Sequence, residues 1–457
     1  MAVLFATQAL LPGGWARDVR VELGADGRIA LVTPGAAPAG QRLDILLPAP
    51  ANLHSHAFQR AMAGLTERRG PDPRDTFWTW RQLMFRFLDR LTPEDVQAIA
   101  AFVQMQMLEA GYACNVEFHY LHHQPGGVPH DDLAEMAARI AAAADQTGIG
   151  LTLLPVLYQF GGCDGRALGP GQLRFGNDPD RFARLLTASR AALKGLPADT
   201  ILGVAPHSLR AVSPQGLAAA LVLGAEAGDG PVHMHLAEQM AEVEEVQAAW
   251  GARPVRWLLE NAAVDQRWCL IHCTQMEPDE TLALAATGAV AGLCPITESS
   301  LGDGIFDGVR WLGAGGAFGV GSDSNIRIAL SEELRTLEYS QRLRDRSRAA
   351  LASAERSTGR VLFEGAVRGG AQAAGRAAGV IAPGMWADLL ALDGSAVDLA
   401  GRQGDWVLDA WIFAGDDRMV AEVWSAGRHL VRDGHHHARE TITTAYRAVL
   451  ERLGDAI

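Results

Sequence analysis

The sequence predicts an α/β fold: a (β/α)8 TIM-like barrel with a small β-sandwich formed by the N- and C-terminal segments. Three observations carry this expectation. Apolar runs of strand length alternate with alanine-rich helical stretches, as parallel β-α units closing on themselves require. Both ends of the chain change texture to short strands and turns. His, Asp or Glu stands at the end of six of the apolar runs, where barrels of this kind build their active sites.

The first segment reads as strands and turns: Asp18-Val-Arg-Val-Glu-Leu23, the turn Gly24-Ala-Asp-Gly27, then Arg28-Ile-Ala-Leu-Val32. Barrel strands are expected near 45–54, 112–120, 150–158, 201–207, 231–236, 268–273, 289–294 and 317–322. Strand texture returns at Pro383–Leu392 and Met419–Gly427. The expected organisation is a composite β-sandwich domain from 1–47 plus 378–437, a catalytic barrel over 48–377 and a C-terminal helix over 438–457. A chain of 457 residues is long enough to bury both cores.

Composition removes several function classes. A formal charge of −13 opposes nucleic-acid binding, which needs a basic field. No apolar run approaches a membrane span, and the N-terminus lacks the basic start and long apolar run of a signal peptide. Five scattered cysteines, odd in number and without Cys-x-x-Cys spacing, suit a reduced cytoplasmic interior.

His54-Ser-His56 closes the run Ile45–Leu53. Side chains alternate along a strand, so both imidazoles leave one face with Cα atoms about 7 Å apart and can reach one metal ion. His235, after Pro231-Val-His-Met, and Asp323, after Phe318-Gly-Val-Gly-Ser, complete a four-ligand set for zinc. The alternatives are a satisfied histidine pair in the core and a helix N-cap at Asp323. His233 shares a strand face with His235 and competes with it, packing being its expected role. Glu238 can move protons between a water and a leaving group, or serve as a first-turn helix glutamate. His272 can polarise the same water, or be a hydrogen-bonded core histidine. The only lysine, Lys194, lies in a helix-to-strand connection, so no lysine is available to bridge two ions at a strand end. A one-metal site is expected.

In this order, His-x-His, His-x-x-Glu, a strand-end His and Ser-Asp, the residues resemble the amidohydrolase superfamily, in its cytosine/adenosine-deaminase-like branch. Cys294-Pro-Ile-Thr-Glu-Ser-Ser-Leu-Gly-Asp-Gly304 is similar to that branch's Cys-Pro-x-Ser-Asn-x-x-Leu-Gly-x-Gly, with Thr297-Glu298 replacing Ser-Asn. That replacement, together with Asn52–Leu65, Phe77-Trp-Thr-Trp-Arg-Gln-Leu-Met84 and Glu117-Phe-His-Tyr120, resembles the formimidoylglutamate deiminase family of histidine degradation over essentially the whole chain. The resemblance implies hydrolysis of N-formimidoyl-L-glutamate to N-formyl-L-glutamate and ammonia. It implies one Zn2+ per subunit, or another divalent metal such as Fe2+, on His54, His56, His235 and Asp323. Glu238, His272 and Asp323 would be catalytic, and Gln59, Arg81, Tyr120, His207 and Arg210 would bind a small dicarboxylate amidine. It also implies a homodimer.

Arginine's fork suits carboxylates, which agrees with Arg81 and Arg210. Arg81 can equally be a surface arginine on tryptophan, and Tyr120 a packing aromatic. With Phe77, Trp78 and Trp80, Arg81 is expected in a lid. At 325 the resemblance leads to histidine, where this chain has asparagine. His435-His-His437 reads as an exposed turn. Two rival functions stand: a deaminase or chlorohydrolase of the same branch acting on a purine, pterin or triazine, and a non-enzymatic scaffold. Retention of every ligand opposes the scaffold.

Overall fold

The computed structural model describes residues 2–67 and 77–454, the side chains of Phe77 and Trp78 excepted. Parallel strands Ala51–Ser55, Cys114–His119, Gly150–Leu157, Ile201–Leu202 and Ala205–Pro206 form one half of the barrel wall. Val232–Leu236, Trp268–His272, Val290–Leu293 and Ala317–Val320 form the other, also parallel. Bridges Ser55–Asp323, Val204–Val232 and Ser208–His235 join the halves and close the barrel. The surrounding helices begin where local chemistry dictates. Thr92, Asp178 and Ser213 each accept a backbone N–H with their side chains, and Pro93, Pro179 and Pro214 follow.

Two expected strands differ. The run 45–54 is two strands, not one: Gln41–Pro48 belongs to the terminal sheet and Ala51–Ser55 to the barrel. Pro48 and Pro50 lack the N–H groups that a continuous ladder needs, and the intervening Ala49 N–H donates to Asp388 instead. The run 201–207 is interrupted at Gly203, whose missing Cβ lets the Pro231 carbonyl approach.

The terminal segments combine as expected. Their strands hydrogen-bond as one mixed eight-stranded sheet, in which Ala2–Leu11 and Gln41–Pro48 are parallel and central. Leu4, Val19, Val21, Leu43, Leu389 and Trp424 form a separate small core that the sheet encloses. One helix, Asp405–Phe413, was not foreseen within 378–437; its Val407, Leu408, Trp411 and Ile412 join the main barrel core. The C-terminal helix Arg439–Gly454 packs on Pro93–Glu109, with Tyr446 stacked on Phe102 at 3.9 Å. His435–His436 pairs as a short strand and His436 is buried on the Thr147 carbonyl, which corrects the exposed-turn expectation. Among the described residues, no helix is long and apolar enough to cross a membrane.

Candidate active site

At one rim of the barrel the strand ends turn their side chains inward. Ala237, His272 and Asp323 all have positive φ, 51°, 73° and 45°, a region that L residues rarely adopt and that functional sites often hold. The last barrel strand can approach the first because residue 321 is glycine: a Cβ there would lie 2.6 Å from the His54 backbone nitrogen. Asp323 N–H donates to His54 O and His56 N–H to Asp323 O, both at 2.9 Å.

The buried donor atoms that result are closely spaced. His54 Nε2 lies 3.2 Å from His235 Nε2 and 3.5 Å from Asp323 Oδ1, and His56 Nε2 lies 3.3 Å from the same oxygen. Ligands about 2.0–2.1 Å from a tetrahedral zinc stand about 3.3 Å apart, so these spacings match the edges of such a coordination sphere. His272 extends the group: it, His54, His235 and Asp323 offer ligand atoms all within 4.8 Å of one another. Nδ1 of His56 faces the Phe118 carbonyl at 3.0 Å and Nδ1 of His235 the His207 carbonyl at 3.1 Å. Those bonds leave each Nε2 lone pair for the centre. The donor set of imidazoles and one carboxylate, buried and preformed, fits a single divalent cation such as zinc.

Electrostatics keep these groups ready to ligate. Burial, aided by His56, pushes His54 down to about 3, and burial also lowers His56 and His235. Burial alone would raise Asp323, but His54, His272 and His56 hold it below the usual carboxylate range. For His272 burial disfavours the charged form; Glu238, Glu298 and Asp323 outweigh it and push the imidazolium up to about 10. A dication among the ligands would oppose that second positive charge.

Around this cluster the cavity wall includes Gln59, Trp80, Arg81, Tyr120, Tyr158, His207, Arg210 and Glu238. Gln59 Nε2 donates to Tyr120 Oη at 2.7 Å. Arg81 Nη2 donates to Tyr158 Oη at 2.6 Å, and Arg210 Nη2 to Glu238 Oε2 at 3.2 Å. Glu238 Oε1 lies 3.8 Å from His272 Nε2. Arg81 and Trp80 come from the helix Phe77–Leu88, whose Phe77 and Trp78 side chains lie outside the described residues. His233 bonds the Ala373 carbonyl at 2.7 Å, away from the cluster, and the His119 ring packs on His122 at 5.2 Å. Lys194 is exposed in the turn after the helix Pro179–Ala192.

The amidohydrolase family profile matches residues 45–430. The chain belongs to the amidohydrolase family. Residues 1–43 of this amidohydrolase match the N-terminal domain of formimidoylglutamate deiminase HutF. Formimidoylglutamate deiminase of Pseudomonas aeruginosa is 50% identical over 100% of both chains. An amidohydrolase from Brucella melitensis is 49% identical with a TM-score of 0.94, covering 99% of this chain and 100% of that one. An adenosine deaminase from Xanthomonas campestris, solved with bound zinc, has a TM-score of 0.82 at 21% identity, covering 99% and 98%; it supports the fold alone.

Four side chains of the amidohydrolase support the site in roles that the sequence does not assign. Glu298 accepts the Cys294 N–H at 2.8 Å and faces His272 Nδ1 at 3.2 Å; the Thr-Glu departure in its motif was the available signal. Asn325 donates to Ser55 Oγ at 3.1 Å and accepts from Ser322 Oγ at 2.6 Å, tying the first barrel strand to the last where histidine was expected. Glu242, fully buried, accepts the Glu238 N–H at 3.0 Å and lies 3.8 Å from Arg210 Nε. Tyr158 carried no signal beyond ending a strand.

Proposed function

We propose that this amidohydrolase hydrolyses N-formimidoyl-L-glutamate to N-formyl-L-glutamate and ammonia, a step of histidine degradation. The observation that carries the reading is the pairing, in one cavity, of a buried His/Asp cluster with two arginines, Arg81 and Arg210. Full-length similarity to the Pseudomonas aeruginosa enzyme points the same way.

His54, His56, His235 and Asp323 would hold one divalent cation per chain, zinc or another such as Fe2+. When bound, such an ion acidifies water towards neutrality and polarises the carbon under attack. Asp323 and His272 take up the proton that the attacking water loses. Glu298 holds His272 in orientation through Nδ1. Glu238, 3.2 Å from Arg210 and 3.8 Å from His272, receives the proton drawn from the water and passes it to the terminal amidine nitrogen so that ammonia departs rather than an amide anion. Gln59, Tyr120 and His207 line the substrate, and Arg81 and Arg210 neutralise its carboxylates.

A purine, pterin or triazine carries no pair of carboxylates for Arg81 and Arg210 to recognise, which disfavours those readings. The same proposal takes the domain division near 47/48 and 377/378, and a homodimer in the cytoplasm, where five free cysteines would stay reduced. Ammonia release measured with N-formimidoyl-L-glutamate, adenine, guanine and cytosine tests the reading. Turnover of the first alone is expected; turnover of a base, or none of the amidine, refutes it.

A further inference from the structure

Tyr158 follows the end of the strand Gly150–Leu157 and lines the same cavity as Arg81 and His207. Its hydroxyl oxygen accepts from Arg81 Nη2 at 2.6 Å and from Gln172 Nε2 at 2.9 Å. Gln172 is fixed in that orientation, because its Oε1 accepts the Gly169 backbone N–H at 2.9 Å. A phenol oxygen can accept twice and donate once. Both acceptor positions are filled, and among the described residues no acceptor takes the hydroxyl proton. The ring is held by His207, edge to face at 4.5 Å, and by Phe175 at 5.6 Å. An immobilised O–H donor thus stands directly beside a guanidinium on a cavity wall. That pair complements a carboxylate and repels a cation.

We infer that Tyr158 is a specificity residue: its hydroxyl proton, with Arg81 locked on the same oxygen, binds the side-chain carboxylate of the substrate. The inference rests on the deiminase reading for the identity of that substrate. The choice between the two carboxylates follows from Arg210, which is 3.2 Å from Glu238 and so stands at the reacting end. The α-carboxylate, one carbon from the retained amidine nitrogen and nearer the carbon under attack than the side-chain carboxylate, belongs there. Arg81 and Tyr158 serve the farther group.

Tyr158→Phe keeps the ring and its packing while deleting the proton and the doubly accepting oxygen. For N-formimidoyl-L-glutamate the expected result is a KM rise of about 10- to 100-fold, exceeding any change in kcat. N-formimidoyl-L-2-aminobutyrate, which lacks the side-chain carboxylate, should show no such difference between wild type and variant. Calorimetric titration with N-formyl-L-glutamate and N-formyl-L-2-aminobutyrate should give the same split in affinity without turnover. Unchanged KM and affinity, or an equal loss with the truncated compounds, overturns the assignment. If wild type binds N-formyl-L-glutamate but releases no ammonia from N-formimidoyl-L-glutamate, the deiminase reading fails, and the calorimetric comparison still decides whether Tyr158 selects a carboxylate.

Discussion

Glu238 illustrates how one side chain serves two partners at the residue scale. Its Oε2 meets Arg210 and its Oε1 faces His272, while its own N–H is pinned by the buried Glu242. The proton-transfer role predicts that Glu238→Gln lowers kcat by about 10²- to 10⁴-fold while metal content stays at the wild-type level. Loss of the metal in that variant would make Glu238 a ligand instead. Arg210→Met should raise KM by about 10- to 100-fold, because a charge-assisted carboxylate bond is lost in a buried site. Kinetics equal to wild type would remove Arg210 from substrate binding. His54, His56, His235 and Asp323 were visible in the sequence because each ends an apolar run, and strand periodicity aims such residues at a barrel mouth. Glu298, Glu242 and Tyr158 were not, because their roles arise only when separate loops and helix starts meet around that mouth.

At the scale of elements, the site depends on how closely the first and last barrel strands approach. Gly321 sets that approach, and the Asn52–Ser322–Asn325–Ser55 hydrogen bonds hold it. Gly321→Ala forces a methyl into the His54 backbone and should cost about 1–3 kcal/mol in a denaturant melt, with metal affinity falling in parallel. Retained metal and stability would show that the seam has slack. Barrel strands were legible wherever an apolar run ended in a polar residue. The 45–54 run was misread because its apolar character continues across Pro48-Ala49-Pro50, although the prolines mark the point where the chain leaves one sheet for another. The helix Asp405–Phe413 was hidden by the strand texture on either side of it.

Across the whole molecule, a buried ionic network fastens the terminal sheet to the barrel. Arg376 bonds Asp199 and Asp388, and Arg428 bonds Asp199 through both guanidinium nitrogens at 2.8 Å. Burial alone would raise Asp199, but Arg428 and Arg376 more than offset it and bring the carboxyl down to about 2. A carboxyl depressed on folding stabilises the native state above its unfolded value near 4, and that contribution, about 2 kcal/mol, fades as pH falls towards 2. Asp199→Asn should therefore lower stability at pH 7 by about 2–3 kcal/mol, since it removes the anion that buried Arg376 shares with half-buried Arg428, and should flatten the acid limb of the stability profile. A wild-type acid limb in the variant would place the titration elsewhere.

The continuous barrel core is built of apolar side chains and includes none of the four ligand residues, so chelation should abolish activity while leaving the chain folded. Four side chains at one rim are proposed to hold a solitary divalent cation. Elemental analysis of purified protein, wild type beside Asp323→Asn, tests it most directly. About one zinc or iron per wild-type chain and a marked loss in the variant are expected; no stoichiometric metal, two per chain, or full retention in Asp323→Asn would rule out a single cation on these four ligands.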